Sequence, residues 1–161
     1  MDHIQQFEQE KAARVAGFGL NEALNSSSLA WMRESMQQKY VYNFEWLGRP
    51  IIQYPQDMVG MQELIWRVRP DLIVETGIAH GGSLVLSASM LAMLDMCDAI
   101  ESGEKIDPRI SRRKVIGIDI DIRDHNRAAI EKHPMASRIL MIQGSSTAPE
   151  IIDQVHTVAA N

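Results

Sequence analysis

The sequence predicts an α/β fold: a Rossmann-like, doubly wound, mostly parallel sheet, truncated after its third strand and preceded by N-terminal helices. Three observations carry this prediction. The apolar runs "LIVE" at 72–75, "VIGIDI" at 115–120 and "RILMIQG" at 138–144 have the length and composition of strands. Helical patterns alternate with them, the order that builds a sheet through crossover helices. "LIVE" shows almost no polar alternation, the mark of a parallel strand covered on both faces.

Met1 to Phe18 is predicted helical, with Ile4, Phe7, Lys11 and Val15 at helical spacing. "NSSS" at 25–28 offers N-caps for a second helix over 29–39. The aromatic-rich "YVYNFEWLGRPIIQYPQD" is broken by Gly48, Pro50 and Pro55 and reads as an extended or looped connection packed on the core. Asp57 is the expected N-cap of a helix over 58–68 that buries Met61, Leu64, Ile65 and Val68, and Pro70 ends it. After the first strand, 83–98 is a helix apolar nearly all round and should lie deep. Residues 99–114 form a long polar connection, 124–132 a short helix, and the chain closes on a helix after "SSTAPE". The expected division is an N-terminal helical and looped extension, 1–56, and an incomplete Rossmann-like domain, 57–161. The third strand looks buried and asks for a neighbour. Either another chain covers that edge, or this is the front part of a longer protein.

Composition narrows the class. Of 161 residues, 45% are hydrophobic and 23% charged, as in ordinary globular chains. A net charge of −5 argues against nucleic-acid binding. Arg109, Arg112, Arg113 and Lys114 cluster just after Glu101, Glu104 and Asp107, which reads as a solvated loop, with a phosphate or lipid-headgroup patch as the alternative. The single Cys97 falls in an apolar helix as a structural thiol. The opening residues lack the apolar core of a signal peptide, and no run approaches the about 18 apolar residues of a membrane span. A cytoplasmic location is expected, with a position peripheral to the membrane left open. The amphipathic N-terminal helices and the uncovered sheet edge point to a homo-oligomer.

In open α/β sheets, ligands bind outside the carboxyl ends of the strands. Glu75, Gly77, Gly81, Gly82 and Ser83 follow the first strand, Asp119 and Asp121 the second, and Gly144, Ser145 and Ser146 the third. The loop is Gly77-x-x-x-Gly81-Gly82, which fits a dinucleotide fingerprint poorly. A glutamate ending the first strand would repel a pyrophosphate but suits an ammonium group. S-adenosylmethionine has that pattern: Glu75 near the amino group, Asp119 on the ribose diol, and Ser145 and Ser146 around the adenine. The glycines could instead serve close strand–helix packing. Asp121 could share the ribose or cap the helix starting near Asp124. His80, in the glycine loop, is the catalytic candidate as an acid/base group, against a plain hydrogen-bonding role. His125, His133 and His156 read as surface residues without metal-ligand spacing.

"ETGIAHGGS", "VIGIDIDIRDHN" and "IQGSSTAPEI" resemble the cephalosporin hydroxylase-type and rhamnosyl O-methyltransferase family, and the likeness runs from about Tyr42 to Val155. The resemblance implies a methyltransferase-type sheet and transfer of a methyl group from S-adenosylmethionine to a hydroxyl of a sugar, glycolipid, lipid-linked acceptor or secondary metabolite. It implies a donor site of Glu75, Gly77, Gly82, Ser83, Asp119 and the 144–146 turn. It also implies a divalent metal, magnesium, whose carboxylate ligands come mainly from a strand beyond the third, so the metal half would have to be supplied by a C-terminal segment. The alternatives are a truncated or partner-dependent donor-binding module without its own catalysis, and a nicotinamide-dependent oxidoreductase.

Overall fold

The structure is a computed structural model and describes residues 2–160. Two compact units form, one ending at Tyr40 and the other beginning at Val41.

The first unit is a pair of helices, α1 (His3–Leu20) and α2 (Glu22–Gln37). Asn21 separates them and caps the second: its Oδ1 accepts from the Leu24 amide at 3.0 Å. The helix expected to begin after "NSSS" therefore starts seven residues earlier, because Asn21 is the better-placed cap and Ser26 to Ser28 continue as helix. No residue of α1 is buried, and Ile4, Phe7, Val15 and Phe18 are all exposed. Trp31 and Tyr40 meet edge to face, with ring centroids 5.7 Å apart.

The second unit is the α/β body. Residues expected as a connection instead form a hairpin, β1 (Phe44–Trp46) and β2 (Arg49–Ile51), in antiparallel register Phe44↔Ile51 and Trp46↔Arg49. Leu47 and Gly48 make its turn, both at positive φ. Trp46 anchors the hairpin by donating from Nε1 to Ser89 Oγ at 2.9 Å, and Phe44 packs on the same core. α3 (Pro55–Val68) follows, then β3 (Leu72–Thr76), α4 (Gly82–Ser102), β4 (Lys114–Asp119), α5 (Asp124–Glu131), β5 (Ile139–Gln143) and α6 (Pro149–Ala159).

The three strands of the body pair in parallel in the order β3-β4-β5. Leu84, Leu91, Val115, Ile116 and Ile130 are wholly buried, each worth about 1.5–3 kcal/mol of apolar transfer. One face of the sheet packs on α4 through Ile73, Val115, Ile139 and Met141. On the other, Ile116, Ile118 and Ile142 pack against Ile151 of α6. By length and apolar composition α4 could cross a membrane, against the expectation that no run comes near that length. Its first three turns are instead the centre of the fold, while Met93, Met96 and Ile100 emerge from it.

Two further expectations are corrected. Of the residues expected on the buried face of α3, only Ile65 is buried; Met61, Leu64 and Val68 are exposed because α3 meets α4 along one narrow stripe. β3 is only partly covered on its second face: Leu72 packs with the cluster beneath α6, but Val74, two residues on, is 45% exposed.

The basic loop is not wholly solvated either. Arg138 is 2% exposed, and its Nη1 donates to Asp95 and to Ser111 Oγ. Arg113 joins the same carboxylate and also reaches Asp98 at 2.8 Å. Burial pushes Asp95 up, but Arg138 and Arg113 outweigh it and hold the carboxyl below its ordinary value. This network closes the amino-terminal end of the sheet, opposite the strand ends that carry the candidate site.

Candidate functional site

A cavity of about 320 Å³ opens at the carboxyl end of β3. Glu75, Gly77, His80, Gly82 and Ser83 line it from the strand, the loop and the start of α4. Residues 50–53, leaving the hairpin, form a second wall, and Asp57, Met58 and Met61 of α3 a third.

Glu75 is half-buried, and Ser83 Oγ donates to its Oε1. Burial pushes the Glu75 carboxyl above its usual value, and the Ser83 hydroxyl offsets part of that rise. A carboxylate so placed is short of hydration and gains from a cation brought to it.

The loop between β3 and α4 bends through left-handed conformations at Gly77, Ala79 and Gly81, with φ of 86°, 45° and 83°. Non-glycine residues adopt such angles at a cost, so Ala79 needs holding. Asn126 Nδ2 donates to the Ala79 carbonyl at 2.8 Å. Arg49 Nε donates to the His80 carbonyl at 3.0 Å, and its Nη2 to the same oxygen. Asp119 Oδ2 accepts from the Ile78 amide at 2.7 Å. Three elements thus each grip one residue of the loop. Sequence reading missed Arg49 and Asn126; no pattern signals them, because they come from a hairpin and a helix remote in sequence.

Gly82 begins α4 where a Cβ would collide with the Pro50 carbonyl, so its bareness lets the hairpin close over the helix start. Gly77 has open space around it on the cavity wall. Among the described residues no side-chain hydrogen bond caps α4, and its first residues, Gly82 and Ser83, line the cavity, where a helix N-terminus favours an anion.

The remaining expected residues lie outside the cavity. Burial pushes Asp119 up, but the backbone amides of Ile78, Asp121, Ala79 and Ile120 outweigh it and hold the carboxyl below its ordinary value. Asp121 is exposed beyond the end of β4, and its side chain caps nothing: Arg123 takes the N-cap position of α5 without a side-chain bond. Gly144 donates its amide to the Asp119 carbonyl at 2.9 Å, which ties the ends of β4 and β5 together. Ser145 and Ser146 are exposed; Ser145 Oγ pairs with Thr147 Oγ1 at 3.0 Å in the turn before α6. His133, expected only at the surface, joins the body to the hairpin: its Nε2 meets the Leu47 carbonyl at 3.0 Å while Nδ1 accepts from the Met135 amide. Among the described residues no group of three or more His, Cys, Asp or Glu stands together to hold a metal ion. The described residues alone therefore assemble no carboxylate cage for magnesium.

A family model, rhamnosyl O-methyltransferase/CmcI, matches residues 38–161. The chain is similar to the rhamnosyl O-methyltransferase of Mycobacterium leprae (strain TN), 28% identical over 110 residues that cover 68% of this chain and 39% of that protein. It thus spans well under half the length of this relative. Among solved structures it resembles CmcI in an Mg-SAM form, with TM-score 0.47, 20% identity and coverage of 70% of this chain and 40% of that one. It also resembles CmcI in an SAH form, with TM-score 0.43, 22% identity and coverage of 63% and 43%. The match from residue 38 onward spans the whole α/β body, and this chain belongs to the rhamnosyl O-methyltransferase/CmcI family.

Proposed function

We propose that this chain binds S-adenosylmethionine in the cavity at the end of β3 and serves O-methylation of a hydroxyl on a sugar, glycolipid or secondary metabolite. One observation carries the reading: Glu75, the Gly77 turn and the uncapped start of α4 meet on one cavity wall. An ammonium beside Glu75 and a carboxylate at the α4 amides would place an amino-acid end across that wall. In the transfer, the acceptor oxygen bonds the methyl carbon as the carbon–sulfur bond breaks, the electron pair of that bond returns to sulfur, and the hydroxyl proton passes to His80 or to solvent.

The residues of this chain bind and orient. Glu75 and Ser83 fix the amino-acid end, and Asp119 sets the loop by holding the Ile78 amide. His80 lines the cavity while its backbone is clamped, which suits an orienting contact or a proton acceptor at the acceptor hydroxyl. Asp121, Gly144, Ser145 and Ser146 would meet the ribose and adenine only where the ligand extends beyond the cavity.

Calorimetric titration with S-adenosylhomocysteine, with and without Glu75→Gln, tests the reading. Binding weakened by the substitution supports it, and a folded chain that binds neither the donor nor its product refutes it. A second reading, a partner-dependent donor-binding module, is favoured by the position of β3 at an edge of the sheet among the described residues and by the exposed Leu64 and Val68. Donor binding without methyl transfer to any hydroxyl acceptor would select it.

A further inference from the structure

The cavity wall carries two carboxylates, Glu75 and Asp57, and no lysine or arginine. Glu75 is accounted for by the donor-site reading, on which this inference rests. Asp57 is not. It stands in the first turn of α3, where an acidic residue suits the helix dipole. Yet Tyr54, not Asp57, takes the N-cap position, and no hydrogen bond or ion pair engages the Asp57 carboxylate among the described residues.

S-adenosylmethionine brings two cationic centres, an ammonium and a sulfonium, and one carboxylate. The cavity offers two carboxylates and the uncapped amides of α4. With Glu75 at the ammonium, the unmatched charges are Asp57 and the sulfonium. We infer that Asp57 faces the sulfonium side of the donor and lets this cavity discriminate S-adenosylmethionine from S-adenosylhomocysteine, which lacks that charge. Because methyl transfer turns the sulfonium into a neutral thioether, the attraction exists before transfer and vanishes after it. It therefore aids product departure. It also stabilises the bound donor more than the transition state, so removing it costs affinity and not turnover.

The test is calorimetry on the full chain with each ligand separately, comparing the unsubstituted protein, Asp57→Asn and Asp57→Glu. An exposed ion pair is worth up to about 1 kcal/mol, so Asp57→Asn is expected to weaken S-adenosylmethionine by about three- to fivefold. S-adenosylhomocysteine affinity should stay unchanged, and Asp57→Glu should keep the discrimination. Equal weakening of both ligands would make Asp57 a structural helix-start residue and overturn the inference, as would no change in either. Absence of binding by the unsubstituted, folded protein would overturn the donor site as well.

Discussion

Arg49 and Asn126 meet beside the loop that follows β3: Arg49 Nη2 donates to Asn126 Oδ1 at 3.3 Å, and each side chain holds one loop carbonyl. The two residues are 77 positions apart, one on a hairpin strand and one on a short helix. Together they hold the left-handed Ala79 and aim the neighbouring His80 into the cavity wall. The candidate site is therefore built as much by its supports as by the glycine loop.

Asn126→Ala should loosen that loop. It removes a buried amide and leaves the Ala79 carbonyl and one Arg49 donor with less to bind, at a cost of about 1–3 kcal/mol. The expected outcome is a lower melting temperature together with weakened S-adenosylhomocysteine binding. A melting temperature equal to that of the unsubstituted chain would show that the loop holds its shape without the clamp.

Glu75→Gln should stabilise the empty protein while it weakens the donor. Burial raises the Glu75 carboxyl above its ordinary value in the folded chain, so the folded state holds this proton more tightly than the unfolded state does. The corresponding stability is present below the ordinary glutamate value of about 4.3 and is lost as pH rises through the raised folded value. Thermal scans should show the variant more stable at pH 7.5, with the gap narrowing towards pH 4. A variant less stable at pH 7.5 would contradict the assignment of burial as the dominant cause.

Asp95→Asn should be the most damaging substitution at the opposite end of the sheet. It takes the counter-charge from the wholly buried Arg138, and breaking such a pair costs about 3–5 kcal/mol. Asp95 is held below its ordinary value in the fold, so its contribution is present above the usual aspartate range and is lost as pH falls through the lowered folded value. Chemical denaturation at pH 7 should show the loss, and the difference from the unsubstituted chain should shrink in strong acid.

Gly82→Ala and Gly77→Ala separate packing from backbone conformation. At Gly82 the new methyl meets the Pro50 carbonyl, so the hairpin must move, at about 1–3 kcal/mol. At Gly77 the space is open and the cost is that of a left-handed residue, about 1–2 kcal/mol. Gly82→Ala alone should expose Trp46 to quenching, as the hairpin it anchors is pushed from α4. Equal fluorescence in both variants would show that the hairpin tolerates the methyl.

The sequence by itself determined the α/β class and the three strands, because short apolar runs between helical patterns leave little choice of architecture. It placed Glu75, Gly77, Gly82 and Ser83 at one strand end, since strand, turn and helix start are contiguous in the chain. Only the tertiary structure decided which strand-end residues share a cavity. Asp119 turns its carboxylate to the loop amides, and the residues after β5 lie outside the cavity, because the sheet spreads their strands laterally from β3. It also decided that Leu64 and Val68 of α3 stay exposed: periodicity reports an apolar face, but not whether anything packs on it. The Arg49–Asn126 clamp and the Arg138–Asp95 pair were invisible for the same reason. Each joins polar residues whose partners are set by distance in space, and a single sequence records distance only along the chain.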